Sequence, residues 1–179
     1  AAYAAGDKRK AVTVLDIEAY KTANPAFSIT YQVAPYQNTG LYNQKYLPRK
    51  GETSGQVELN YSNNFRTIRY ADVLLMAAEA HNKSGDDTKA QTYLNLVRRR
   101  AFGDLLHDVT STGTALYDAI LAERRLELAM EGERFFDLVR TGKAPAVLGP
   151  LGFVAGKHEL FPIPQGEVDL AGLTQNPGY

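Results

Sequence analysis

A mostly α-helical fold, with long loops and a few short strands, is predicted by three features of the sequence. From Phe65 onward, apolar residues recur at helical spacing. Before that point the chain is rich in Tyr, Asn, Thr, Gly and Gln, and its apolar runs are short. From Gly142 it becomes rich in Gly and Pro. At 179 residues the chain is long enough to bury a core.

The composition shift gives two segments of one unit, 1–65 and 66–179. In the first, six of the eleven tyrosines fall between Tyr20 and Tyr61. A β-favouring run, Phe27-Ser28-Ile29-Thr30-Tyr31-Gln32-Val33, sits between Pro25 and Pro35 and is expected to supply a short strand. In the second segment a helix from Phe65 to about Gly85 would place Tyr70, Val73, Leu74, Ala77, Ala80 and His81 on one face, with Asn64 as its cap. A second helix, from about Asp87 to Ala101, buries Ala90, Tyr93, Leu94, Val97 and Ala101. Together residues 67–100 have the length of a tetratricopeptide (TPR) unit. A third helix is expected from about Thr114 to Met130, and a short fourth from Glu133 to Thr141. In the tail, Leu160-Phe161-Pro162-Ile163-Pro164 must stay extended, because each Pro removes a donor and biases its predecessor away from helix.

The third helix carries an anomaly. At 100° per residue, Glu123 and Glu127 fall within about 20° of Leu116, in the middle of the apolar stripe formed by Leu116, Ala119, Ile120, Leu126 and Met130. Buried carboxylates cost several kcal/mol unless paired. Arg98 and Arg134 are the expected partners in a buried ion network. The competing reading is an acid/base pair, since carboxylates at i and i+4 lie about 6 Å apart, near the separation glycosidases use. The abundance of Arg favours pairing over a proton donor.

Other chemistry is thinly represented. Net charge is zero, so nothing overall favours nucleic acid or an anionic membrane. There is no cysteine, and the three histidines have no partner at metal-ligand spacing, so neither metal nor cofactor is expected. No stretch has the length and apolarity of a membrane span. No catalytic residue is assigned.

The same segments carry a family resemblance. Arg69-Tyr70-Ala71-Asp72-Val73-Leu74-Leu75-Met76-Ala77-Ala78-Glu79-Ala80 resembles the "RYAEVLLxxAEA" helix of the SusD/RagB family. In the family's order follow Leu94-Asn95-Leu96-Val97-Arg98 ("LNxVR"), the run from Ile120 to Leu128 ("IxxERRxEL") and the run from Glu131 to Arg140 ("EGxRFxDLxR"). The tail adds Leu160 to Glu167 ("LxPIPxxE") and Gln175-Asn176-Pro177-Gly178-Tyr179 ("QNPGY"). Asp7-Lys8-Arg9 and Lys45-Tyr46 fit the family's "DxR" and "KY" more loosely.

The resemblance implies the C-terminal part of a longer, TPR-containing lipoprotein on the outer-membrane surface of Bacteroidetes-type bacteria. Its expected role is to bind an oligosaccharide and deliver it to a SusC-like TonB-dependent transporter, without enzymatic activity. The N-terminal lipid anchor such proteins carry is absent from this chain. A TPR-like scaffold that contacts the transporter without touching glycan is the alternative, with glycoside hydrolysis a distant third. Sugar recognition needs aromatic faces for C–H surfaces and amides for hydroxyls. Tyr31, Tyr36, Gln37, Asn38, Tyr42 and Asn43 are the candidates, although such tyrosines also serve to pin loops.

Overall fold

The computed structural model describes residues 2–32, 39–47, 64 and 66–179. It is mostly helical, as the sequence predicts. The chain packs as two units, residues 1–130 and 131–179.

In the first unit the N-terminal segment forms α1 (Lys10–Thr13), β1 (Val14–Asp16) and α2 (Ile17–Ala23), followed later by β2 (Leu41–Asn43). The strands pair antiparallel, with Val14 opposite Asn43, Leu15 opposite Tyr42 and Asp16 opposite Leu41. Asp16 caps α2 by accepting from the Ala19 N–H at 3.1 Å. The strand expected across Phe27–Val33 does not form among its described residues. Pro25–Phe27 is a 3-10 turn, and Ser28 adopts a left-handed conformation that breaks any extended run. Val33 lies outside the described residues.

The core is built from α3 (Tyr70–Lys83), α4 (Asp87–Phe102) and α5 (Gly113–Glu127). All three pack against one another. Helix α3 starts at Tyr70 rather than near Asn64, because Arg69 is extended. It ends at Ser84–Gly85, where Gly85 takes a positive φ. Asp86 caps α4 through the Lys89 N–H, and Gly103 closes it at φ 85°.

The α4 face is the one its periodicity predicts: Ala90, Leu94, Val97 and Ala101 are buried and Tyr93 packs against them. The α3 face is rotated from expectation. Leu74, Leu75 and Ala78 are buried, while Tyr70, Val73 and Met76 are exposed. Helix α3 carries large apolar residues on both sides of its Asp72, Glu79 and Lys83 stripe, so periodicity alone could not choose the side that α4 and α5 cover.

The loop after α4 is tied back by side-chain amides. Asn95 donates to the Val109 carbonyl and accepts from its N–H, and Gln91 donates to the Thr110 and Ser111 carbonyls.

The second unit holds α6 (Arg134–Arg140), α7 (Ala144–Leu148) and α8 (Gln165–Ala171). Helices α7 and α8 lie in a tail expected to be irregular. Pro145 sits in the first turn of α7 and Pro164 immediately precedes α8, positions that need no helical N–H. Residues 161–164 stay out of regular structure. Gln175 donates to the Ile163 carbonyl (2.7 Å) and accepts from its N–H (2.8 Å), while Asn176 donates to the Phe161 carbonyl.

The two α3 faces can be separated by mutation. Leu75→Ala should lower unfolding stability by about 2–5 kcal/mol in urea titration. Val73→Ala should cost about 0.5 kcal/mol or less. Equal losses would contradict the observed orientation.

Candidate functional site

Glu123 and Glu127 are both buried, at 1% and 2% exposure. The cation between them is Arg9, itself 4% exposed. Its Nη1 donates to Glu123 Oε1 (2.5 Å) and Glu127 Oε2 (3.0 Å). Its Nε and Nη2 grip Asp7, and its backbone N–H donates to Asp7 Oδ1. Arg98 donates to Glu123 Oε2 at 2.7 Å. Arg69 and Arg100 both donate to Glu127 Oε1, at 2.6 and 2.5 Å. Four guanidiniums therefore surround three carboxylates. Among the described residues no buried side-chain polar atom lacks a hydrogen-bond partner.

The pKa directions follow from this packing. Burial pushes the Glu127 carboxyl up, but Arg69 and Arg100 outweigh it and hold it below its ordinary value. Burial also opposes ionisation of Asp7, and Arg9 overcomes it through side-chain and backbone hydrogen bonds. Glu127 is thus a committed anion, unsuited to donating a proton to a leaving group.

The same helix end gathers backbone contacts. Carbonyls at a helix C-terminus lack intrahelical partners and carry the negative end of the dipole. The Glu127 carbonyl accepts from Arg69 Nη2 and Lys45 Nζ, both at 2.6 Å. The Leu126 carbonyl accepts from the Tyr3 hydroxyl. Beyond α5, Met130 turns with φ 68°, and its carbonyl accepts from Asn43 Nδ2 at 2.8 Å.

This brings the loop-rich segment against α5. Tyr42, on β2, meets Tyr31 edge-to-face, with ring centroids 6.4 Å apart and planes at 83°. Lys21 Nζ lies 5.9 Å from the Tyr31 ring centre. Both rings are partly accessible. Asn43 is differently employed: besides its bond to Met130, its Oδ1 accepts from the Lys45 N–H. Tyr36, Gln37 and Asn38 lie outside the described residues.

Of the expected ion partners, Arg98 reaches Glu123, whereas Arg134 opens α6 in the second unit. Arg100, which ends α4 beside Arg98, was among the cations available to the pair and reaches Glu127, but the sequence reading did not name Arg9, Asp7, Arg69 or Lys45 as partners. The Asp7-Lys8-Arg9 and Lys45-Tyr46 motifs were the available signal for three of them. Arg98, Arg99 and Arg100 each pair internally, with Glu123, Asp108 and Glu127, rather than presenting a phosphate patch. His81 stacks on Tyr93 and His107 on Phe102. Among the described residues no group of three His, Asp or Glu could hold a metal ion, and no helix is long and apolar enough to cross a membrane.

The first unit is thus a helical core fastened by buried ions, with a two-stranded ribbon that carries Tyr42 beside it. The chain belongs to the SusD family, whose model matches residues 6–151. It is 32% identical to SusD-like protein P2 of Formosa agariphila over 193 aligned residues, 98% of this chain and 38% of the relative. SusD-like protein P38 of the same organism is 39% identical over 124 residues, 65% of this chain and 25% of the relative.

Among solved structures, surface glycan-binding protein A from Bacteroides thetaiotaomicron superposes with a TM-score of 0.80 at 35% identity, over 98% of this chain and 39% of that one. A laminarin binding SusD-like protein does so with a TM-score of 0.78 at 42% identity, over 97% and 36%. The chain spans under two fifths of the length of these relatives.

Two outcomes test the ion network. Arg9→Met leaves Asp7 without its grip and two buried glutamates underpaired, and should cost about 3–5 kcal/mol in urea unfolding. The pH dependence has a definite sign. The depressed pKa values of Glu127 and Asp7 add stability above their ordinary values of 4.5 and 3.8, lost as pH falls through the lower folded values. The melting temperature should therefore hold between pH 7 and about 5 on their account and drop below about 4.5. A level profile to about pH 3 would contradict the pairing.

Proposed function

We propose that this chain is part of a glycan-binding component of a SusCD-type outer-membrane uptake system. In this reading it holds an oligosaccharide at the cell surface and hands it to a SusC-like TonB-dependent transporter. The protein would be held at the outer membrane by an N-terminal lipid. The observation that carries the reading is similarity along nearly the whole chain to proteins described by glycan binding. These are the laminarin binding SusD-like protein at 42% identity, and surface glycan-binding protein A, solved with laminarihexaose and superposing with a TM-score of 0.81. A laminarin-type glucan is accordingly the proposed ligand.

The Tyr31–Tyr42 pair supplies the matching chemistry. Two aromatic faces set nearly perpendicular offer separate apolar surfaces to the C–H faces of a bent glucan. Tyr36, Gln37 and Asn38 are proposed as further ligand contacts on their side-chain chemistry alone. Binding without turnover is favoured by the sealed state of Glu123 and Glu127, which a sugar could reach only by displacing their arginines.

Exposed apolar side chains on α3 and α4, among them Tyr70, Val73, Met76 and Leu96, favour a second role in contacting the transporter. Co-purification of a large barrel with the wild type but not with Tyr70→Asp would support that role.

Calorimetric titration with laminarihexaose tests the main reading. Saturable binding without released reducing ends is expected, and Tyr42→Ala should weaken it about tenfold, roughly 1.4 kcal/mol. Unchanged affinity in Tyr42→Ala would remove the pair from the site, and released reducing ends would restore the hydrolase.

A further inference from the structure

Strand β2 has little of its own to fix its position. The β1–β2 ribbon is two strands of three residues each, a size that is marginal in water. Burial marks an inner face along β1 and its flanks, where Thr13, Leu15 and Ile17 are buried. It marks none on β2, where Leu41 and Tyr42 are exposed and Asn43 is half-buried, so β2 has no burial pattern of its own to hold its register. A ribbon of this kind can slip, and a one-residue slip turns every side chain to the other face. Tyr42 would then leave Tyr31.

The fastening comes from outside the ribbon, at the end of α5. Asn43 uses both ends of its amide: Nδ2 donates to the Met130 carbonyl and Oδ1 accepts from the Lys45 N–H. Lys45 carries its ammonium to the Glu127 carbonyl at 2.6 Å, where the helix dipole favours a cation. Met130 is held at φ 68°, a conformation non-glycine residues rarely adopt, and this turn aims its carbonyl at Asn43. Glu127 is itself immobilised by Arg9, Arg69 and Arg100. Two attachment points two residues apart, Asn43 and Lys45, thus bracket Gln44 directly after the strand and specify the register of β2.

We infer that Lys45 and Asn43 are positioning residues, which lock β2 to the C-terminal end of α5 and so set the angle between Tyr42 and Tyr31. For its ligand this rests on the glycan reading above. For its mechanics it does not. Asn43 consequently acts on the sugar through Tyr42 rather than by direct contact.

Amide hydrogen exchange separates the two parts. The Gln44 N–H donates to the Thr13 carbonyl and the Ile17 N–H to the Gly40 carbonyl, so these amides report the two ends of the ribbon. Lys45→Met and, as an independent variant, Asn43→Ala should each speed their exchange about tenfold or more, with Leu75 and Ala78 amides in the core unchanged. Lys45→Arg, which keeps the cation, should restore protection. Wild-type protection at Gln44 and Ile17 in both variants overturns the proposal. In parallel, laminarihexaose affinity is measured by calorimetry for Lys45→Met, Lys45→Arg and Tyr42→Ala. Loss in Lys45→Met with recovery in Lys45→Arg supports the positioning role. Loss in Tyr42→Ala alone overturns it. If Tyr42→Ala binds as wild type, the glycan reading of the ribbon fails even where the exchange result upholds the lock.

Discussion

Arg9 is the side chain on which the first unit depends. It joins an N-terminal segment with little regular structure to the last turn of α5, more than a hundred residues away in sequence. Hydrophobic burial could not do this with the same specificity. Among its described residues, the N-terminal segment contributes only Leu15 and Ile17 to the buried apolar residues. A planar guanidinium with donors in a fixed fork can meet three carboxylates at set angles. Buried ion pairs are weak evidence for net stability, since desolvation offsets much of the attraction. Their effect here is positional: removing any one partner leaves a buried charge that no slipped arrangement satisfies.

The network also bears on where α3 begins and on what faces the C-terminal end of α4. Arg69 is extended instead of helical, which delays α3 to Tyr70 and lets the guanidinium reach both the carboxylate and the carbonyl of Glu127. Arg100 lies in the last turn of α4, a position cations favour in any case, with Arg98 just before that turn, and there they meet the anions of α5. Helix ends that must be capped and carboxylates that must be neutralised are served by the same side chains. The acid sensitivity predicted for the fold and the anchoring of β2 therefore trace to one cluster.

Legibility from sequence followed the range of the interaction. The helical core, the α4 face and the anomalous position of Glu123 and Glu127 are local patterns and were readable. The α3 face was not, because Tyr70, Val73, Leu74, Leu75 and Met76 leave too little polar contrast to mark the buried side. Arg9 was not, because no periodicity links it to α5; only a short motif hinted at it. The Phe27–Val33 run has strand-like composition, yet Pro25 opens a 3-10 turn and Ser28 reverses its φ, so turn chemistry overrode propensity. For the candidate site, Tyr31 and Tyr42 do meet as a pair, while the Asn43 amide is occupied by the Met130 carbonyl and the Lys45 N–H.

That occupation has a general reason. Every backbone N–H and C=O needs a partner, and a chain with long irregular segments cannot find them all in helices and ribbons. This protein meets the demand with side-chain amides that grip backbone at a distance. Asn95 clasps Val109, Gln175 clasps Ile163, Asn176 holds Phe161, and Asn43 holds Met130. An Asn- and Gln-rich loop composition is therefore what such a fold requires whether or not it binds sugar. The same is not true of the aromatic pair: Tyr31 and Tyr42 keep part of their ring surface accessible where a purely structural pair would gain by burying it. Under the proposed glycan reading, it is this tyrosine pair, more than the amides, that offers surface to a ligand.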